Sequence, residues 1–139
     1  MKQISIFAAL IIFSQNIHKH TKYVVLLNQS SIQRPIPTTM ETFWSDKPDF
    51  DTIILQGTKI INRLQIQLDQ LKLVEPKSIV QSTFSINNAI IRYADDKPTD
   101  TIYTNQFFRF FKLGDKLYED KNQFFKNKFS AFIDKTSNP

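Results

Sequence analysis

The sequence predicts a mainly α-helical protein, a small bundle of about three amphipathic helices behind an N-terminal apolar segment. Three observations carry that expectation. Ile54, Gly57, Ile61, Leu64, Leu68 and Leu71 recur in steps of three and four, the spacing of one helix face. Val80, Phe84, Ile91 and Ala94 repeat the pattern further on. At helical pitch, Phe111, Tyr118, Phe125, Phe129 and Phe132 also share a face.

Bulk properties bound the fold and exclude several functions. The chain of 139 residues has room for one domain. Its 41% hydrophobic and 22% charged residues are those of a globular protein. Thirteen Phe supply enough apolar surface to rule out a disordered chain. Two glycines are too few for a Gly-rich phosphate loop. With no cysteine, disulfides, thiolate zinc sites and thiol catalysis are excluded. The net charge of +5 comes from 18 basic and 13 acidic residues. They are scattered, which suits a solvated surface better than the basic stripe of a nucleic-acid binder.

The chain divides into residues 1–16, a signal peptide or membrane anchor, residues 17–50, an extended segment and loop, and residues 51–139, the helical domain. Met1-Lys2-Gln3 and the apolar run Ile4–Phe13 match the first two parts of a signal peptide. The run is short of the ~20 residues that span a bilayer as a helix. No Ala-x-Ala cleavage pattern follows it. Tyr23-Val24-Val25-Leu26-Leu27 has the β-branched and aromatic content of a short strand. Ser30, Ser31, Pro35, Pro37 and Pro48 then break any regular period. The single Trp, Trp44, is expected to pack that loop onto the core.

Asp49 and Asp51 offer caps for a first helix over 51–73, which Glu75-Pro76 ends because the residue before proline leaves helical geometry. Pro76 suits the start of a second helix over 77–94. Asp95-Asp96-Lys97-Pro98 breaks the chain, and a third helix is expected over 116–134. The alternative is an α+β fold with a short hairpin around Gly114-Asp115, a two-residue turn signal.

No catalytic, cofactor-binding or metal-binding set emerges. His18 and His20 are the only histidines, and nothing in the sequence completes a four-coordinate site around them. Asp49, Asp51, Asp95, Asp96 and Asp100 fall at expected helix ends and turns, where capping explains them. Asn28-Gln29-Ser30 matches the N-glycosylation pattern at Asn28. The Phe-rich, Lys-bearing C-terminal region points to a partner surface built from Phe107, Phe111, Phe125 and Phe129. The expected function is therefore non-catalytic: an exported small helical protein, secreted or periplasmic, that binds a protein, a membrane surface or another apolar partner. The alternative is a membrane-anchored accessory subunit of a larger, organellar complex. No cofactor and no nucleic acid are expected.

Overall fold

A computed structural model of the chain describes residues 21–28, 38–45 and 50–129. Strand β1 (Thr21–Asn28) alternates fully buried and half-buried residues, the period-2 pattern of a strand with both faces occupied. Helix α1 (Met40–Ser45) and strand β2 (Phe50–Gln56) follow. Helix α2 (Thr58–Asp69), strand β3 (Lys72–Leu73) and helix α3 (Ile79–Thr83) come next. Four strands complete the sheet: β4 (Asn88–Ala94), β5 (Lys97–Thr104), β6 (Phe110–Leu113) and β7 (Lys116–Glu119). Residues 124–129 are helical. All seven strands join one antiparallel sheet in the order β2-β1-β4-β5-β6-β7-β3.

The helical-bundle expectation is corrected: the protein is mostly β, and its helices are short. Each overturned helix has a local cause. In the first, residues 50–56 pair along β1, with Val24 opposite Ile54 and Val25 opposite Ile53. Gly57 turns the chain at φ +101°, a conformation L side chains resist, and the helix begins only after it. In the second, Ser78 caps α3 through its Oγ, which accepts the Val80 N–H at 3.3 Å. That helix ends at Thr83, and β4 takes the apolar residues beyond it. Asn88 to Arg92 are all buried at both odd and even positions, and a run buried in that way carries no clear period. In the third, Lys116–Glu119 is β7, and Gly114 (φ +61°) makes the turn from β6. Helical backbone is confined there to 124–129 among the described residues.

The sheet has two unequal faces. On one, Tyr23, Val25 and Leu27 of β1 meet Ile90 of β4, Ile102 of β5, Phe111 of β6 and Tyr118 of β7. Helix α2 lays Ile61, Leu64 and Leu68 over this surface, and Phe125 and Phe129 close its other end. Phe108 and Phe129 sit 4.8 Å apart between ring centres, and Phe111 and Phe125 sit 4.9 Å apart. Each such ring contributes roughly 2–3 kcal/mol by leaving water. The opposite face carries a smaller cluster of Phe43, Ile86 and Ala89 beneath α1, flanked by Leu26, Trp44, Phe50, Phe84 and Tyr103. With only six residues, α1 covers one end of that face.

The apolar run Ile4–Phe13, expected to be a targeting segment, lies outside the described residues, as do His18 and His20. No helix among the described residues is long and apolar enough to cross a membrane.

Candidate functional site

Beyond α1, described residues of the second face line a groove of about 490 Å³. Its floor follows from strand pairing. Val24 of β1 stands opposite Ile91 of β4, and Ile91 stands opposite Thr101 of β5. These three therefore point the same way. Leu26, Tyr93, Pro98 and Thr52 extend the lining, and Trp44 and Phe50 form the wall at the α1 end.

That wall is fixed. Trp44 Nε1–H donates to the Tyr103 hydroxyl at 2.9 Å. Phe43 stacks on Phe50 at 4.7 Å and meets Trp44 edge-on at 5.2 Å. Thr42 and Thr39 stabilise the start of α1, with the Thr39 N–H donating to Thr42 Oγ1 at 2.9 Å. Among the described residues, no charged side chain lines the groove. At its rim, Lys22 Nζ lies 5.4 Å from the centre of the Tyr93 ring and 3.6 Å from Asp96. Thr52, Thr101 and Tyr93 bring hydroxyl groups to the lining. This is the composition of an apolar recognition surface with a few directing hydroxyls.

The closed face holds a second constellation. Arg92 of β4 pairs with Asp100 of β5 at 3.7 Å, and the Arg92 side chain is only 6% exposed. Its Nε has no hydrogen-bond partner among the described residues. Tyr23 lies close by and is hydrogen-bonded to Gln65 of α2. Burial pushes the Tyr23 phenol above its ordinary range, against the opposing pull of the Arg92 guanidinium. Burial likewise raises Asp69. Tyr23, Gln65 and Arg92 are all buried beneath α2, and none of the grooves lined by described residues opens onto them. Their arrangement fixes how α2 sits on the sheet.

The residues picked out by sequence fall in different places. Phe111, Phe125 and Phe129 are buried in the main core, whereas Phe107 is 47% exposed. Phe107 borders a second cavity of about 340 Å³ with Arg109, Lys121 and Lys126. The carboxylates there already have partners: Glu119 accepts from Arg109 at 3.3 Å, and Asp120 Oδ2 accepts from the Phe125 N–H at 3.0 Å. Asn28 is the last residue of β1, and its N–H donates to Asn88 Oδ1 at 3.3 Å. Asp95 (φ 51°) and Asp96 (φ 63°) form the tight turn between β4 and β5, a place Asp tolerates. No group of three or more His, Cys, Asp or Glu among the described residues is placed to hold a metal.

Sequence reasoning missed the groove because its lining comes from five separate elements, β1, α1, β2, β4 and β5. A usable signal was present. Tyr23–Leu27 is apolar at both odd and even positions, and Ala89–Tyr93 is so except for Arg92, so each strand must present apolar side chains to both faces.

No family model matches the chain, and neither a curated protein nor a solved structure does.

Proposed function

We propose that this protein acts by binding an apolar segment of a partner protein in the groove across β1, β4 and β5, without catalysing a reaction. The observation that carries the reading is the unequal covering of a sheet whose central strands are apolar on both sides. Among the described residues, α2 and the 124–129 helix close one face, while only the six-residue α1 lies over the other. Such a surface gains from a partner what the core gains from helices, about 25 cal/mol for each Å² of apolar area removed from water. The groove is shallow and open at the sheet surface, which suits side chains of a protein segment better than an enclosed small molecule. Trp44, Tyr93 and Phe50 are the aromatic anchor types that dominate binding energy at protein interfaces. The absence of charge from the lining favours aliphatic or aromatic side chains in the partner.

Selection from a displayed peptide library on the full chain tests the proposal. Trp44 is the only tryptophan and forms part of the wall, so its emission reports occupancy directly. We expect the selected peptides to be rich in Leu, Ile, Phe or Trp and to shift Trp44 emission. Thr101→Arg, which fills the groove with charge, and Tyr93→Ala are each expected to weaken binding at least tenfold with the far-UV spectrum unchanged. Failure to enrich any peptide, or binding indifferent to both variants, would overturn the reading.

A further inference from the structure

The two edges of the sheet are built differently. The β3 edge has two residues, one of them Lys72, and Pro76 follows closely. Short strands, lysine and proline are the usual protections of a sheet edge. Strand β2, at the opposite edge, is longer and contains neither lysine nor proline within its length, although Lys47 and Pro48 precede it in sequence. It runs for seven residues, Phe-Asp-Thr-Ile-Ile-Leu-Gln, and keeps an unbroken register with β1 along its length. Its one charged residue is Asp51, and Ile54 is 55% exposed. Among the described residues, no strand lies on its outer side.

We infer that β2 pairs antiparallel with β2 of a second copy of this chain, centred on Ile53, so that two sheets become one. The sequence of β2 is self-complementary in that register. A two-fold axis perpendicular to a sheet brings together residues that share a face, so one residue must oppose itself. With Ile53 at the axis, Thr52 faces Ile54, Asp51 faces Leu55 and Phe50 faces Gln56. All seven residues are used, and no like charges meet. Centring on Ile54 instead leaves Phe50 and Asp51 without opposite numbers. The chosen register also lays the exposed Ile54 of each copy against Thr52 of the other. Because β3 is too short to accept a strand end, the pairing closes at two copies and does not grow into a filament. Both grooves, each bordered by Thr52, then open on the same side of the joined sheet.

The absence of cysteine makes a position-specific test possible, because a single introduced thiol has only its symmetry mate to react with. In the Ile53-centred register the two Cα atoms of position 53 are ~4.5–5.5 Å apart, within disulfide span. Those of position 54 are roughly 8 Å apart, beyond it. We expect the wild-type chain to scatter light as a dimer at tens of micromolar. Mild oxidation is expected to convert Ile53→Cys to a covalent dimer and to leave Ile54→Cys uncoupled. Ile54→Lys, which puts a lysine on the edge beside the axis, is expected to be a folded monomer. A monomeric wild-type chain would overturn the inference, whatever the state of the variants. Cross-linking through position 54 in preference to 53 would overturn the register. Neither outcome touches peptide binding in the groove, which is read separately through Trp44.

Discussion

At the scale of single residues, the informative group is the polar set buried beneath α2. Arg92 is paired with Asp100, and Tyr23 with Gln65, on the face of the sheet that carries the main apolar core. Removing one partner of such a pair leaves a charge out of water with nothing to offset it. We expect Asp100→Ala to destabilise the fold by about 3 kcal/mol in urea denaturation. The double variant Arg92→Met, Asp100→Leu is expected to recover most of that loss, because no stranded charge remains. Additive losses in the double variant would show that the pair is not coupled. Tyr23 sets a pH limit. Its folded pKa lies above its unfolded value of 10.0, so the folded state holds the phenol proton longer. Stability is therefore unaffected by this group below about pH 10 and declines as pH rises through the folded pKa. Tyr118 shifts in the same direction, through burial and the nearby Asp115. We expect Tyr23→Phe to flatten part of the alkaline loss in a series of melts, and an unchanged slope would refute the assignment.

At the scale of elements, the sequence misled where a strand and a helix share one apolar stripe. Ile54 belongs to β2 and Ile61 to α2, yet their spacing continues a single helical pattern across Gly57. The glycine is the true boundary. At φ +101° an alanine is strained, and its Cβ would meet nothing within 4 Å, so the cost is purely that of the backbone. We expect Gly57→Ala to cost about 1–3 kcal/mol in thermal or chemical unfolding. A neutral effect would mean that the turn adopts another conformation. Other features were legible. Tyr23–Leu27 reads as a strand from its β-branched content and is one. Gly114-Asp115 reads as a two-residue turn, and β6 and β7 pair across it. The helix expected over 77–94 was not legible as α3 followed by β4, because a short run with apolar residues on both sides fits either period. Long-range pairing decided it, with β4 taking β1 on one side and β5 on the other.

At the scale of the whole molecule, the proposed function rests on a sheet with apolar side chains on both faces, only one of which the described helices close. The Phe-rich C-terminal region, read from sequence as a partner surface, supplies instead much of the closed core through Phe111, Phe125 and Phe129. Their helical spacing could not distinguish a face turned outward from one turned inward, since both look alike in one dimension. The groove was hidden for a complementary reason. Val24, Ile91 and Thr101 are far apart in sequence and meet only through strand register. Footprinting the full chain with a photoactivated carbene, which labels whatever apolar surface the solvent reaches, tests the open-face claim most directly. We expect Tyr93, Val24 and Trp44 to be labelled in the free protein well above Val25, Phe111 and Phe125, and to be protected when a groove-binding peptide is added. Labelling of Tyr93, Val24 and Trp44 no stronger than that of Val25 and Phe111 would contradict the claim.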